Sequence, residues 1–347
     1  MPSNSFAALK EHIDAIWVVD THEHLTPEKD WLSAEEGCVD FSRFFAHYAS
    51  VDLISAGMPH ADMERLRASK TPLDEKWSLF EPFWLRAKNT AYCRAVDEAV
   101  RDLFDLPGLT AETYEPLAAK MLNMRKPGYY KLVLKDHGRI AVSILDLGPD
   151  GADPEFFAPV ARLDHFIMVR TLDELRRLEE ESGVSIHSLD DLKSALAAVF
   201  SAKREAGAAG IKSGLAYVRT LNYEYPSRNQ AQDAFDAMFA HPSASVHDGV
   251  QGIPQGQAKA LQDFMFHAVV QLCVEHDLPM QIHTGIQEGN GNYLQQTNPI
   301  LMSDVFIKYP KARFDLFHAG YPYWEELGVL AKMFPGVHAD LCWMNII

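Results

Sequence analysis

Two histidines separated by a single residue follow an apolar stretch near the start of the chain. Residues 18–25 read VVDTHEHL, which places His22 and His24 shortly after Val18, Val19 and Asp20. Side chains at positions i and i+2 of a strand point to the same side, so both imidazoles can reach one ion. Neutral imidazoles bind divalent transition metals at about 2.0–2.2 Å. The spacing indicates a metal site at the end of the first strand, although surface and core histidines also show this spacing.

Two further histidines end later apolar stretches of the sequence. His283 ends the segment MQIH, and His318 ends the segment LFH. A core histidine that is hydrogen-bonded to the backbone is the alternative reading for each. Because histidine is only intermediate in its tendency to lie in protein cores, packing alone is a poor explanation for three strand ends that carry it. We therefore expect these histidines to contribute to one site at the strand ends.

One lysine lies within an otherwise apolar segment. Lys212 is the third residue of GIKSGLAYV, residues 210–218. A buried lysine must find a partner or lose its proton. Three interpretations remain open: an ammonium that reaches the mouth of the site from a buried stem, an ammonium that holds an anionic substrate, and a carboxylated lysine that bridges two metals. Of the two functional interpretations, we favour the ammonium that holds a substrate.

Four other residues are candidates for contact with a substrate. Glu288 and Asn290 lie in the segment IQEGNGNYLQQTNP, which is either a contact loop or an ordinary flexible loop. It lacks the GxxxxGK[ST] pattern of a phosphate-binding loop. Arg219, seven residues after Lys212, could clamp a carboxylate or form an ion pair in a loop. Tyr321, in the segment HAGYP, could lie at the rim of a pocket or pack between helices.

The elements that must position these residues are short apolar segments separated by amphipathic ones. The apolar segments do not alternate cleanly, which is typical of parallel strands buried on both faces. Helical patterns lie between them, one of them with Ser188 as a candidate N-cap. A parallel sheet with helical crossovers is a doubly wound sheet or a (β/α)8 barrel, and barrel active sites lie at the carboxyl ends of the strands. The predicted strands cover residues 16–22, 139–148, 163–172, 209–218, 278–285, 312–320 and 336–344.

Residues 26–138 interrupt this alternation. They contain several helical patterns, which predicts a helical insertion that covers the mouth of the barrel as a lid. The predicted fold is therefore an α/β chain with a distorted (β/α)8 TIM barrel, in which residues 1–347 form a single barrel domain and the insertion follows the first strand. No eighth strand is found in the sequence.

Composition narrows the class of protein. The chain has 347 residues, 47% of them hydrophobic, and a formal net charge of −16, which argues against nucleic acid and anionic membranes as partners. The four cysteines form no CxxC pair, and no apolar run is as long as a membrane span. We also find no signal peptide pattern. We expect a cytoplasmic protein with a small-molecule substrate, and a homo-oligomer is compatible with the sequence.

The chain resembles the amidohydrolase superfamily, and within it TIM-barrel metal-dependent hydrolases and the amidohydrolase-like half of nodulin/glutamine synthetase fusion proteins. The resemblance implies that His22, His24 and His283 bind a divalent metal, with zinc first and manganese, iron or nickel as alternatives. His318 would bind a second metal or polarise the substrate, and Lys212 matches the position of a carboxylated lysine. The matching segments are VVDTHEHL, GIKSGLAYVRTL, FPGVHADLCW and the stretch from LPMQIHTG to YPYWEELG.

The resemblance also implies a reaction. A metal-activated water would hydrolyse a C–N or C–O bond of a small carboxylate- or amide-bearing molecule, while His318 and Lys212 would stabilise the oxyanion as catalytic residues. The family's metal-binding aspartate begins an eighth strand, and Asp340 comes too early to replace it. We expect that a carboxyl-terminal portion outside the given sequence, or a partner, closes the barrel. A metal-dependent decarboxylase or sugar-acid isomerase and a non-catalytic metabolite-binding barrel are the alternatives.

Overall fold

Seven parallel strands make up the sheet in the part of the chain that the computed structural model describes, residues 4–240, 252–344 and 346. The strands pair in sequence order from first to last, each with the next. The seven strands form a curled half-barrel, which confirms the predicted α/β barrel fold. The strands are β1 Val18–Glu23, β2 Ile140–Leu145, β3 Phe157–Arg162, β4 Gly210–Ser213, β5 Met280–Ile282, β6 Phe314–Leu316 and β7 Val337–Ala339.

Helices cover the outside of the sheet and form the insertion between β1 and β2. Ser188 caps one of them by accepting a hydrogen bond from the backbone N–H of Asp191, as the sequence predicts. The helices are α1 Asn4–Ala15, α2 Glu28–Leu32, α3 Ser50–Ser55, α4 His60–Arg67, α5 Leu73–Ala87, α6 Ala91–Phe104, α7 Tyr114–Met124, α8 Asp164–Ile167, α9 Leu172–Ser182, α10 Leu189–Glu205, α11 Arg228–Ala240, α12 Gln255–Glu275, α13 Ser303–Lys308 and α14 Trp324–Met333, with a π-helical segment at Lys131–His137.

The predicted third strand is wrong. The sequence analysis placed it at residues 163–172, but the strand is β3, Phe157–Arg162, and α8 begins two residues after its end. The apolar run belongs to this helix, since Phe166 and Ile167 are buried in the main core. Short apolar runs do not distinguish a buried helix from a buried strand. Alanine, proline and arginine in the sequence FAPVAR weaken the strand pattern of β3.

Alternate side chains of the strands serve two different environments. Ile211, Ile282 and Leu316 pack in the main core with the outer helices. The neighbouring residues along these strands, which face the opposite way, are polar: Lys212 pairs in register with Gln281, and Gln281 with Asp315. The interior of the half-barrel is therefore charged and polar at this level.

The side-chain amide of Gln281 also links β5 to β1 across the interior of the half-barrel. Its Nε2 donates to the carbonyl oxygen of Thr21, 3.2 Å away, and to the carboxylate of Asp315 at 3.1 Å. The first of these bonds joins β5 to β1 without any strand pairing between them, which keeps the strand ends of the half-barrel close to one another.

The helical insertion has a hydrophobic core of its own, built from residues between Trp31 and Met121. An ion pair is buried within it: Lys76 Nζ lies 2.7 Å from the carboxylate of Asp40 and 2.6 Å from the carbonyl oxygen of Gly37. A buried charge is tolerated only when it is paired and hydrogen-bonded. The pair therefore fixes the start of α5 to the segment that precedes α3.

Replacement of Lys76 by methionine tests this arrangement. Lys76→Met leaves the carboxylate of Asp40 buried without its partner, so we expect a loss of roughly 3–5 kcal/mol in the free energy of unfolding. Urea denaturation followed by tryptophan fluorescence measures the loss, because Trp31, Trp77 and Trp84 all belong to the insertion core. Lys88→Met, at an exposed position, is the control and should change stability by less than about 0.5 kcal/mol.

Candidate metal centre and adjoining pocket

Two histidines and one carboxylate meet at the carboxyl ends of β1 and β2. The Nε2 atoms of His22 and His24 are 3.0 Å apart. Asp146 follows the last residue of β2, and its backbone N–H donates to the carbonyl oxygen of Glu23 at 2.8 Å. One ligand atom from each of His22, His24 and Asp146 lies within 4.8 Å of the other two. Ligands bound at about 2.0–2.2 Å stand up to about 4.4 Å apart, so shifts of a few tenths of an ångström complete a metal site.

The carboxylate of Asp146 is held in place by an arginine. Arg162, the last residue of β3, donates from Nε to one oxygen at 2.8 Å and from Nη2 to the other at 2.6 Å. Such two-pronged contacts fix orientation as well as charge. The hydrogen bonds from Arg162 occupy one side of each oxygen and leave the remaining lone pairs for an ion. Arg162 is therefore a positioning residue for Asp146.

The other two predicted histidines form a second pair. His283 Nδ1 lies 3.2 Å from His318 Nε2, and His283 Nε2 lies 2.8 Å from the carbonyl oxygen of Ile286. The ring centroids of His22 and His318 are 6.0 Å apart, so the two pairs adjoin. Among the described residues, however, the group of three converging donors contains Asp146 and not His283. In this structure His283 contacts His318 and the backbone rather than the first pair.

Residues after β7 surround His318. The indole of Trp343 stacks on its ring, with centroids 3.8 Å apart and planes 11° apart, and the Sγ of Cys342 lies 3.1 Å from its Nδ1. The backbone N–H of Cys342 donates to the carboxylate of Asp340 at 2.6 Å. The contacts of Trp343 and Cys342 with the ring restrict rotation of the His318 side chain.

The backbone at His318 is left-handed. Its φ angle is 63°, and those of Ala319 and Gly320 are 49° and 62°. Left-handed backbone costs roughly 1–2 kcal/mol for a residue with a β-carbon, and such residues cluster at functional sites. The N–H of Ala319 donates to the carbonyl oxygen of Asp340 at 2.7 Å, which helps to hold the turn.

Lys212 lies beneath these histidines. Its side chain is 1% exposed, and its Nζ lies 3.2 Å from the ring centroid of Phe317. Burial lowers the pKa of Lys212 to about 7, and nearby Asp146 partly opposes the change. Lys212 therefore does not have a buried stem with an exposed ammonium, because its ammonium does not reach solvent.

Burial also keeps the histidines neutral. It is the main cause that lowers the pKa of His22, His24 and His283, and it lowers that of His318 to about 3. Lys212 adds to the lowering at each of them. Neutral imidazole is the form that binds metals, so at neutral pH the four rings are in the ligating form.

Several buried polar atoms in the interior have no hydrogen-bond partner among the described residues. Unpaired buried polar groups are rare and point to bound water or ions that complete them. The donor set of two neutral imidazoles and one fixed carboxylate suits a divalent metal of the zinc type. The residues thus fit the metal that the sequence predicts. The buried interior atoms without a hydrogen-bond partner are His22 Nδ1, Lys212 Nζ, Gln281 Oε1 and Asp340 Oδ2.

The structure places Arg219 away from a substrate role. Its side chain is buried, its guanidinium pairs with the carboxylate of Asp263, and its Nη1 donates to Gln262 at 3.2 Å. The guanidinium also lies 4.6 Å from the ring centroid of Tyr223. The ion pair is buried against α12, so these contacts use the groups that would otherwise clamp a carboxylate.

The remaining candidates lie around the mouth of the site. Asn290 donates to the hydroxyl of Ser55 in α3 at 3.1 Å, so the loop after β5 touches the insertion. The backbone N–H of Glu288 donates to the hydroxyl oxygen of Tyr217 at 3.0 Å. Tyr321 is 36% exposed, and its carbonyl oxygen accepts from the N–H of Ile286 at 2.7 Å.

Four residues of the site were missed by the sequence analysis. Asp146 carries a usable signal, since it is a polar residue at the end of the apolar segment RIAVSILD. Arg162 ends a strand that was itself misplaced. Cys342 and Trp343 lie at the end of the seventh predicted strand and carry no signal before the turn that brings them to His318 is known.

None of the helices in the described ranges combines the length and the apolar character needed to cross a bilayer.

The fold and the site together define an α/β barrel with a candidate metal centre at the carboxyl ends of its strands. The chain belongs to the amidohydrolase family, whose model, "Amidohydrolase", matches residues 19–345. It is 28% identical over 137 residues to the protein fluG of Emericella nidulans, a match that covers 38% of this chain and 15% of that protein. The chain thus spans a small part of that relative.

Solved structures share the fold. A uronate isomerase from Thermotoga maritima has a TM-score of 0.73 at 16% identity, and a glucuronate isomerase from Caulobacter crescentus has 0.71 at 17%. A protein of Lactobacillus casei proposed to be a metal-dependent hydrolase has 0.62 at 22%. The matches cover 96%, 97% and 97% of this chain, respectively, and 77% of each of the others. At these identities the likeness extends to the fold alone.

Asp315 lies in the polar interior of the half-barrel, between Gln281 and β7. The pH dependence of stability tests the environment of its carboxyl group. Burial, with a contribution from Asp340, raises its pKa to about 6, above the value of about 3.9 for an unfolded chain. The folded state therefore holds the proton more tightly, and stability is lost as pH rises from about 4 to about 6. Asp315→Asn should remove this loss, because the amide oxygen can still accept the hydrogen bond from Gln281.

The measurement is urea denaturation of wild type and variant, with chelator present, at about pH 4 and about pH 8. Asp315→Asn should be more stable than wild type at the higher pH and gain less, or nothing, at the lower pH. The control is Asp233→Asn on the exposed face of α11, which removes a carboxyl group that is not buried. An equal effect of Asp315→Asn at both values would contradict the raised pKa.

Proposed function

We propose that the chain is a metal-dependent hydrolase that cleaves a C–N or C–O bond of a small molecule. The observation that supports this most directly is the meeting of His22, His24 and Asp146 at the carboxyl ends of β1 and β2. Membership of the amidohydrolase family agrees with a metal-dependent enzyme. Zinc is the metal we propose first, with manganese, iron or nickel as alternatives.

A bound divalent cation supplies Lewis acidity and an activated water. His22, His24 and Asp146 would hold it, while Arg162 keeps the carboxylate of Asp146 oriented. His283 is a further proposed ligand that would have to turn from its contact with Ile286.

His318 and Lys212 are the proposed catalytic residues. His318 is fixed by Trp343 and the left-handed turn, and its neutral ring can donate a hydrogen bond to a substrate oxygen on which negative charge develops. Lys212, with a pKa of about 7, is partly protonated at neutral pH and can stabilise negative charge that develops on the substrate. Its burial makes that charge more effective, because the surrounding dielectric constant is low.

A sugar-acid isomerase is the second candidate, because two of the solved structures with this fold are a uronate isomerase and a glucuronate isomerase. We also propose a cytoplasmic location, which the four unpaired thiols support.

Metal titration tests the site itself. Zinc and manganese should bind the purified chain, as measured by calorimetry and by metal analysis after dialysis. Asp146→Asn should weaken binding, and Arg162→Gln should weaken it by about 10–100-fold, since groups that orient a ligand typically contribute that much. Asp136→Asn, at an exposed position before β2, should bind like wild type. Unchanged affinity in both site variants would remove Asp146 from the metal centre.

Product analysis separates the two candidate reactions. The metal-loaded chain is incubated with a panel of N-acylated amines and, separately, with glucuronate, and products are followed by proton NMR. A hydrolase splits its substrate into a carboxylate and an amine, whereas an isomerase converts glucuronate without cleavage. We expect cleavage that requires metal and is absent in His22→Asn. Conversion of glucuronate with no cleavage of any amide would favour the isomerase instead.

A further inference from the structure

A cavity of about 370 Å³ lies between the helical insertion and the loop that follows β5. Neither the metal centre nor the proposed catalytic residues line it. Both parts of the chain contribute walls, so the pocket exists only because the insertion folds over the barrel. Its walls include Tyr48, Asp52, Tyr92, Ile286, Glu288 and Trp343.

The cavity adjoins the histidine cluster. One face of Trp343 stacks on His318, while the same side chain lines the cavity. Ile286, whose carbonyl oxygen contacts His283, lines it as well. A molecule bound in the cavity would therefore lie one side chain away from the site histidines, close enough for its far end to reach them.

Three aromatic side chains that line this cavity are in contact in sequence, Tyr92 with Tyr48 and Tyr48 with Trp343. Tyr48 and Tyr92 stack with centroids 6.2 Å apart, and Tyr48 meets Trp343 edge to face at 4.5 Å. Burial is the main cause that raises the pKa of both phenols, so they remain neutral. Clusters of neutral aromatic rings attract cations through their ring faces, as in sites for alkylammonium groups.

The charges of the cavity have one sign. Among the described lining residues the carboxylates are Asp52 and Glu288, and none is lysine or arginine. Arg67 interacts electrostatically with Glu288, but its guanidinium donates to the carbonyl oxygen of Phe45 at 2.9 and 2.7 Å. Asp52 accepts a hydrogen bond from the hydroxyl of Thr90. Aromatic faces together with carboxylates suit a cation.

The cationic side chains near the metal centre do not line this cavity. Arg162 donates from Nε and Nη2 to the two carboxylate oxygens of Asp146. Lys212 is buried under the ring of Phe317. Arg219 is paired with Asp263 away from the mouth. These contacts count against an anionic tail on the substrate at this cavity.

We propose that this cavity binds a positively charged amino group, so that the substrate is an N-acylated amine that carries a second, protonated amine. The inference rests on the proposed hydrolase function. Water adds to the acyl carbon and the C–N bond breaks. The acyl part leaves as a carboxylate, and the amide nitrogen takes up both protons of the water and leaves as an ammonium. The second ammonium stays on the amine product and does not react.

The test uses n-butylammonium as the probe, with n-butanol and butanoate as matched neutral and anionic probes. Calorimetric titration of the full chain, metal-free and zinc-loaded, measures the three dissociation constants. We expect n-butylammonium to bind in both forms, and the other two at least about tenfold more weakly. Binding of butanoate as tight as that of n-butylammonium overturns the proposal.

Variants locate the binding. Glu288→Gln should weaken n-butylammonium binding about fivefold, as expected for a partly exposed ion pair, and Tyr92→Leu should weaken it more than Tyr92→Phe. Glu64→Gln, an exposed acid on α4, is the control and should have no effect. Equal binding in wild type and both Glu288→Gln and Tyr92→Leu would place the ammonium elsewhere.

Different results would overturn the proposed ammonium site and the proposed hydrolase activity. If acylated diamines are cleaved no faster than acylated monoamines of the same length, the inference is overturned while the hydrolase stands. If no amide is cleaved although n-butylammonium binding depends on Glu288, the cavity assignment stands and the hydrolase is overturned.

Discussion

Parallel pairing of the strands is the constraint on which the site depends. In a parallel sheet every strand ends at the same rim, so residues more than 250 positions apart in sequence come together. His22 lies near the end of β1 and Asp146 follows the adjacent strand β2, while His283 and His318 follow another adjacent pair, β5 and β6. The hydrogen bond from Gln281 to Thr21 brings the two halves of the sheet toward each other. In this arrangement the two histidine pairs adjoin, with the ring centroids of His22 and His318 6.0 Å apart.

The fold carries several unfavourable features at this rim. Lys212 is buried without a hydrogen-bond partner among the described residues, and Asp315 lies in the same interior layer. His318 has left-handed backbone. Such features persist only when the surroundings are stable enough to hold them. The apolar outer faces of the strands, packed with the helices, supply that stability. The local cost agrees with a site kept for chemistry rather than for stability.

The insertion is a second packed unit with a role at the site. Its own hydrophobic core and the buried pair of Lys76 and Asp40 make it rigid. It meets the barrel through the contact of Asn290 with Ser55 and through the rings of Tyr48 and Trp343. Because these contacts lie beside the histidines, the insertion and the strands together shape the pocket.

The sequence by itself determined the α/β barrel and the spacing that brings His22 and His24 together, because apolar period and i, i+2 spacing are local properties. It did not determine the true third strand. The tertiary structure decided that Asp146, and not His283, lies beside the pair, because a backbone hydrogen bond and the irregular register of β1 and β2 bring Asp146 there. It also decided that the guanidinium of Arg219 is buried in an ion pair with Asp263. Strand register and long-range ion pairs depend on which elements become neighbours, and no local pattern records that.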